Sequence, residues 1–369
     1  MTVTEIELQL IASVVAVACA LPGTFLVLRR MAMMSDAISH VVLLGIVLGF
    51  FVTQDLGSPL LILAAALTGV LTVTLVELLN RTRLVKEDAA IGLVFPLLFS
   101  LAVILVSRYA GNVHLDTDAV LLGELAFAPF DRMLLFGYDL MPKSLFIMGI
   151  ILLISIAFIT VLYKELKLAT FDAGLAAALG FAPGMIHYGL MSLVSVTAVG
   201  SFDAVGSVLV VAFMIAPPAT AYLLTDRLPV MLGLGALFGV MSAIAGFHLA
   251  SLFDANIAGA MATVAGVIFG LAYLFAPQRG IVAQALHRRQ QKREFAQAML
   301  AIHLLHHEDL PEATHESEIK HLHEELRWET DFANMIVGDA VRAGIVLRRN
   351  GHLELTDRGR DLAKREMVQ

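Results

Sequence analysis

Residues 29–49 read RRMAMMSDAISHVVLLGIVLG, two arginines followed by a long apolar run that contains one carboxylate and one imidazole. About 20 mostly apolar residues in a helix are enough to cross the hydrocarbon core of a bilayer. Basic residues directly beside such a run are typical of its cytoplasmic end. The stretch therefore predicts a membrane-spanning helix, and with it an integral membrane protein.

The same apolar pattern recurs along most of the chain. Hydrophobic residues make up 58% of the 369 residues and charged residues only 15%, against roughly 25% charged residues in soluble domains. We expect an all-α polytopic membrane protein with eight or nine transmembrane helices, because one of the nine segments is short. The stretch around 110–140 is expected to lie at the surface or to re-enter the membrane. The candidate spans are 8–28, 37–54, 59–79, 89–107, 144–163, 187–201, 204–224, 229–252 and 256–276.

Basic residues between the spans predict the orientation of the chain. Short cytoplasmic loops of membrane proteins are enriched in lysine and arginine. With nine spans, this rule puts the N-terminus outside a bacterial inner membrane and the C-terminal domain in the cytoplasm. The start, MTVTEIELQL, lacks the basic region of a secretory signal, so the first span is expected to be retained. The orienting residues are Arg29, Arg30, Arg81, Arg83, Lys86, Lys164, Lys167, Arg227 and Arg279.

The distribution of charge predicts two domains, a membrane domain at 1–280 and a soluble cytoplasmic domain at 281–369. Half of the charged residues lie in the last quarter of the chain. This part predicts helices at 286–305, 316–327 and 330–344, then a β-hairpin with its turn at Asn350–Gly351 and a last helix capped by Thr356. We expect a small winged-helix (α+β) domain here.

The hairpin segment LELTDRGRDLA (353–363) resembles the wing of iron- and manganese-dependent repressors. A DNA-binding domain usually has a surplus of basic residues, whereas residues 277–369 contain 14 basic and 15 acidic residues. Nucleic acid is therefore not the expected partner, and a regulatory or subunit-contact role is favoured.

Asp36 and His40 are the candidate metal ligands. They are four residues apart, so on a helix they share one face, with roughly 6 Å between their Cβ atoms. An ionisable residue within a membrane span is a candidate for function, and manganese, iron and zinc all accept carboxylate and imidazole ligands. The alternative is that Asp36 caps the helix and His40 bonds a neighbouring carbonyl group.

Several blocks of sequence, in this order, resemble the permeases of zinc-, manganese- and iron-type ABC transporters. The resemblance extends over residues 5–280 and implies that Asp36 and His40 hold the metal ion. The blocks are SDAISHVVLLGIVLG (35–49), EDAAIGLVFPLLFSLAVILVS (87–107), FDAGLAAALGFAP (171–183), LVSVTAVGSFDAVGSVLVVAFMIAPPATAYLL (193–224) and LFAPQRG (274–280).

The resemblance implies a transport subunit that imports a divalent transition metal, with manganese first and zinc or iron as alternatives. No GxxxxGK[ST] motif occurs, so ATP is expected to be hydrolysed by a separate ABC ATPase subunit and the chain is not expected to be an enzyme. The other implied partners are a second permease subunit, identical or related, an extracytoplasmic metal-binding protein and membrane lipid. Two permeases would offer one ion two carboxylates and two imidazoles.

The block FDAGLAAALGFAP resembles the coupling segment of importer permeases, a short cytoplasmic helix that docks into the ATPase. Asp172 and Gly180 are the residues that we expect to shape it. The alternative is an amphipathic linker without a partner.

Eight of the 12 histidines lie in the soluble domain, and His303 and His307 are again four residues apart on a predicted helix. They are either solvated surface residues or a regulatory metal site that inhibits transport when metal is plentiful.

Two other functions fit parts of the sequence. A membrane-tethered metal-responsive regulator would use the spans to anchor the winged helix, but it would not need a coupling segment. A secondary transporter driven by an ion gradient would need more acids within the spans. Helices interrupted at Pro22, Pro96 or Pro217–Pro218 would line a pathway, whereas frequent glycines also suit ordinary close packing.

Overall fold

The computed structural model describes residues 2–54, 58–109, 125–135, 138–308, 322, 326–349 and 352–367. The chain divides into two compact units, Met1–Gly280 and Ile281–Gln369. Three sequence predictions lie outside the described residues: the stretch at 110–124, most of the helix at 316–327, and the hairpin turn at 350–351.

Nine helical segments within the described residues are long and apolar enough to cross a membrane, the higher of the two predicted numbers. Helix α8 contains two of these spans, whereas α6 and α7 are short and contain none. The helices of the first unit are α1 (Val3–Leu28), α2 (Ala32–Thr53), α3 (Pro59–Arg81), α4 (Glu87–Tyr109), α5 (Lys143–Val161), α6 (Tyr163–Phe171), α7 (Ala173–Ala178), α8 (Pro183–Leu224), α9 (Leu228–Phe253) and α10 (Ile257–Phe275).

Helix α8 is kinked at Gly206. Its 42 residues would reach about 63 Å as one straight helix, twice the ~30 Å hydrocarbon core, so the chain needs a break. Gly206 supplies it with φ 75° and ψ 164°, a backbone conformation that residues with a Cβ rarely adopt. The alternative that helices break at Pro22, Pro96 or Pro217–Pro218 is not seen, because these helices continue through all four prolines.

Helices α1 and α8 form the centre of the membrane unit and approach each other at Gly23. A Cβ on Gly23 would lie 2.1 Å from the carbonyl oxygen of Met214. Helices α2 and α3 are equally close, because a Cβ on Gly45 would lie 2.4 Å from Ala65 Cα. Small residues at such crossings let membrane helices pack backbone to backbone. These glycines confirm the packing role that the sequence predicted as one alternative.

Gly23→Ala is expected to lower the midpoint of thermal unfolding of the purified chain. The new Cβ would overlap backbone atoms of Met214, which cannot rotate away as a side chain can, and overpacking typically costs about 1–3 kcal/mol. A thermal melt in detergent measures the shift. Gly92→Ala is the matched control, since a Cβ there meets nothing within 4 Å. Equal midpoints for the two variants would contradict the prediction.

A short antiparallel hairpin precedes α5. Strand β1 (Arg132–Leu135) pairs with β2 (Tyr138–Pro142). The Arg132 guanidinium donates from Nη1 to both carboxylate oxygens of Glu7, at 3.2 and 3.1 Å. Bidentate pairs of this kind fix geometry as well as charge, so the hairpin is held at the first turns of α1.

The described part of the second unit contains three helices and a second antiparallel hairpin, and it has its own apolar core. Thr356 caps the last helix as predicted, because its Oγ1 accepts a hydrogen bond from the Gly359 amide at 3.1 Å. The same hydroxyl lies 2.7 Å from the Gly344 carbonyl oxygen, to which it donates. The elements are α11 (Ile281–His307), α12 (Thr330–Arg342), β3 (Val346–Arg349), β4 (His352–Leu355) and α13 (Asp357–Glu366).

An ion pair joins the end of α11 to α13. The Arg360 Nε donates to Glu308 Oε1 and Oε2 at 3.0 and 3.1 Å. This hydrogen bond holds the pKa of the Glu308 carboxyl below its ordinary value. The pair links the two helices at a point where α11 ends.

Candidate functional site

The Asp36 carboxylate and the His40 imidazole meet on α2. Asp36 Oδ1 lies 3.4 Å from His40 Nε2, as the spacing of four residues predicted. Helix α2 begins at Ala32, and its N-cap residue is Met31. Asp36 is therefore one turn inside the helix, and the alternative that it caps α2 is wrong. Hydropathy predicted that this span begins at residue 37, but the helix already begins at Ala32, because a helix can include polar residues that lower the mean hydropathy.

Two aromatic rings from α4 flank the imidazole. The His40 ring lies 5.5 Å from the Phe95 ring and 5.8 Å from the Phe99 ring, measured between centroids. Aromatic pairs at these separations attract each other and restrict the ring orientation. Sequence reasoning missed both phenylalanines. Their spacing of four residues was visible, but nothing in the sequence indicated that this face of α4 packs on α2.

The face of α2 that adjoins the Asp36–His40 pair is buried. Ser35 is fully buried, and its Oγ donates to the Met214 sulfur at 3.0 Å. Ser39 is also buried, and its Oγ bonds the Ser35 carbonyl oxygen at 2.9 Å. With Gly45 against α3, these contacts hold the helix that supplies the two candidate ligands.

The Asp36 and His40 side chains are partly exposed. The side chain of Asp36 is 49% exposed and that of His40 is 29% exposed. A charged group at membrane depth is unfavourable in lipid and normally faces another protein surface or water. Within the described residues, no group of three or more His, Cys, Asp or Glu side chains is placed to hold a metal ion. The described part of one chain thus places two candidate ligands here, Asp36 and His40.

The segment 171–183 forms the predicted short helix that ends in a glycine. Asp172 caps α7, because its Oδ1 accepts a hydrogen bond from the Leu175 amide at 2.8 Å. The helix stops before Gly180, whose φ of 86° turns the chain. Around this helix, large apolar side chains are exposed, among them Phe171, Leu175, Leu179 and Phe181. A six-residue helix with this much exposed apolar surface is suited to contact with another protein.

His303 and His307 lie together near the end of α11, as their spacing predicted. Their ring centroids are 4.8 Å apart, and the His306 ring is 5.2 Å from that of His307. The Nδ1 atom of His307 is buried and has no hydrogen-bond partner in the described part of the chain. The geometry suits two ligands on one side of a metal ion.

Comparison with known proteins gives one family for the membrane unit. Residues 6–276 match the ABC 3 transport family. The zinc transport system membrane protein TroD of Treponema pallidum is 51% identical over 358 residues, which is 97% of each chain. The manganese transport system membrane protein MntD of Bacillus subtilis is 49% identical over 282 residues, covering 76% of this chain and 95% of that protein.

A solved structure has the same fold. PsaBC from Streptococcus pneumoniae, in complex with Fab, superposes with a TM-score of 0.63 at 27% identity. The match covers 75% of this chain and 94% of that one. The similarity to TroD extends over nearly the whole chain, so the second unit also has a counterpart in that protein.

Proposed function

This chain belongs to the ABC 3 transport family, and we propose that it is the membrane-spanning permease subunit of an ATP-driven importer for a divalent transition metal. One observation supports this function above the others: the half-exposed Asp36–His40 pair on α2. Carboxylate and imidazole are ligands for manganese, iron and zinc alike. A partly exposed pair is accessible to an ion moving along the pathway.

The proposed ion is manganese, with zinc and iron as the alternatives. Oxygen and nitrogen ligands without sulfur suit a hard or borderline ion. The single cysteine, Cys19, is fully buried in α1 and bonds Ser201, so it offers no thiolate at the site. Two relatives of nearly equal identity are named for zinc and for manganese, so their names favour neither ion.

A second permease subunit would complete the coordination. One chain supplies one carboxylate and one imidazole from α2, whereas zinc is usually bound by four ligands and manganese by more. Two chains related by a twofold axis would present two of each to one ion. A related permease that retains both residues would serve equally well.

The two remaining partners, an ATPase and a metal-binding protein, would contact opposite sides of the membrane unit. We propose that α7 docks into an ABC ATPase on the cytoplasmic side and that an extracytoplasmic metal-binding protein delivers the ion on the opposite side. The N-terminus is then outside and the second unit is in the cytoplasm. The basic residues of the cytoplasmic loops support this orientation.

The test is metal uptake by the assembled importer in liposomes. The chain is reconstituted with its candidate ATPase and binding protein, and radioactive manganese is supplied on the outside with ATP inside. Accumulation that needs ATP supports the permease. Uptake that follows an ion gradient without ATP would support a secondary transporter instead. No uptake by a well-folded complex would favour the tethered regulator. Competition by zinc and iron then ranks the ions.

For the second unit, we propose a winged-helix domain that senses cytoplasmic metal through His303 and His307. Two imidazoles one helical turn apart, with ring centroids 4.8 Å apart, can share one ion. Transport would then slow when the metal concentration inside is high. The balance of charges in this unit does not favour DNA as its ligand.

The double variant His303→Ala/His307→Ala is expected to make uptake insensitive to metal loaded inside the liposomes. Wild-type uptake should fall severalfold over the same range of internal metal. The variant should not respond, because it lacks both imidazoles that would bind the ion. Initial uptake rates at increasing internal manganese measure the effect. His287→Ala, on the exposed face of the same helix, is the control. Unchanged inhibition in the double variant would exclude the two histidines as the sensor.

A further inference from the structure

Arg29 connects three helices at one end of the membrane unit. It follows the last residue of α1, and its Nε donates to Thr170 Oγ1 of α6 at 3.2 Å. Its Nη1 lies 3.2 Å from His187 Nδ1 of α8. A guanidinium can only donate, so His187 accepts through an unprotonated Nδ1. One side chain therefore joins α1 to both helices that flank α7.

The environment of this guanidinium is unusual. Burial lowers the pKa of Arg29 below its ordinary value. Both hydrogen-bond partners are uncharged in this arrangement, and the Nη2 atom is buried with no partner among the described residues. Among the described residues no carboxylate forms an ion pair with Arg29, and a partly buried cation without such a partner is normally unfavourable. The position of Arg29 is therefore better explained by its hydrogen bonds to α6 and α8 than by a contribution to stability.

Both anchors are close to α7 in the sequence. Thr170 is two residues before Asp172, the cap of α7, and His187 is four residues after the start of α8. On the other side, a tight turn separates Arg29 from α2. The Arg30 amide donates to the Val27 carbonyl at 3.1 Å and the Met31 amide donates to the Leu26 carbonyl at 2.9 Å. Helix α2 starts one residue later, at Ala32.

We infer that Arg29 is a positioning residue, which transmits movement of α7 to α2 and thereby to Asp36 and His40. The inference rests on the proposed function, in which α7 docks into the ATPase. The planar guanidinium holds Thr170 and His187 at fixed angles, so a shift of either helix moves the turn at Arg29. Lysine keeps the charge but cannot make both directed bonds.

The experiment compares metal transport with ATP hydrolysis in the assembled importer in liposomes. Arg29→Lys is expected to leave the complex assembled and the ATPase active, but to lower the number of ions transported per ATP about tenfold, within the usual range of coupling between sites. Thr170→Val removes one anchor and should give a smaller loss. His187→Gln keeps an acceptor and should retain coupling, whereas His187→Phe should lose it. Arg30→Ala, the exposed neighbour, is the control.

Several outcomes would overturn the inference. If transport and ATP hydrolysis fell in parallel, with the ions per ATP unchanged, Arg29 would serve assembly alone. If His187→Gln and His187→Phe behaved alike, the hydrogen bond to Nδ1 would have no role. A wild-type complex without ATP-dependent uptake would instead refute the proposed function, and the inference with it. Should Arg29→Lys fail to fold, Thr170→Val and the two His187 variants decide the question.

Discussion

Asp36→Asn and His40→Ala are each expected to abolish metal uptake by the assembled importer, while insertion and assembly stay unchanged. Asparagine has nearly the shape of aspartate but no negative charge, so Asp36→Asn removes the charged ligand and little else. Changes to groups that merely orient a metal ligand already reduce affinity about 10- to 100-fold, and loss of a ligand itself should exceed that. The side chains of both residues are partly exposed, so their replacement leaves the packed core intact.

The measurement is the initial rate of radioactive manganese uptake into liposomes with ATP inside, normalised to the amount of assembled complex. Asp88→Asn is the control, since Asp88 is an exposed carboxylate near the start of α4. Uptake at the wild-type rate in Asp36→Asn would move the metal pathway away from α2. Equal losses in Asp36→Asn and Asp88→Asn would point to a general effect of charge.

Gly180→Val is expected to weaken binding of the ATPase to the permease. At φ 86° a residue with a Cβ is strained, by roughly 1–2 kcal/mol, and a β-branched side chain is among the least suited to that conformation. The chain would relieve the strain by reshaping the end of α7, which displaces the exposed Leu175 and Leu179 side chains. Where such residues are hot spots of an interface, their loss costs about 2 kcal/mol or more, or about 30-fold in affinity.

Co-purification of the ATPase with the tagged permease measures this effect directly, and uptake should fall with it. Asp172→Ala, which removes the cap of α7, should weaken the complex less, because a helix cap contributes only about 1 kcal/mol. Gly184→Val is the matched control, since Gly184 lies in the first turn of α8 and a Cβ there meets nothing within 4 Å. Retention of the ATPase by Gly180→Val would leave α7 without a coupling role.

The spans were predictable from the sequence because membrane helices are defined by long apolar runs, a local property. The ends of the spans were predicted less accurately. Helix α2 begins five residues before the expected start. The short segment at 187–201 is part of the longer span Pro183–Phe202. A hydropathy profile ends a span at the first polar residues, whereas the helix itself continues as long as its backbone hydrogen bonds are satisfied. The kink at Gly206 depends on backbone angles that composition does not reveal.

The candidate site was predictable where its residues share a helix and not where they come from different ones. The Asp36–His40 pair and the His303–His307 pair follow from a spacing of four residues. Phe95 and Phe99 are brought to His40 by packing between helices. The bonds of Arg29 join residues 141 and 158 positions apart, and no short motif predicts such contacts.

The Asp36–His40 pair on α2, if two copies of the chain share one ion, has a consequence for inheritance. If one ion is held by two copies, a defective copy inactivates every assembly that it enters. With equal amounts of normal and defective subunits pairing at random, only about a quarter of twofold-symmetric importers would be fully normal. A loss-of-function allele at Asp36 or His40 would therefore behave as dominant when the permease pairs with itself.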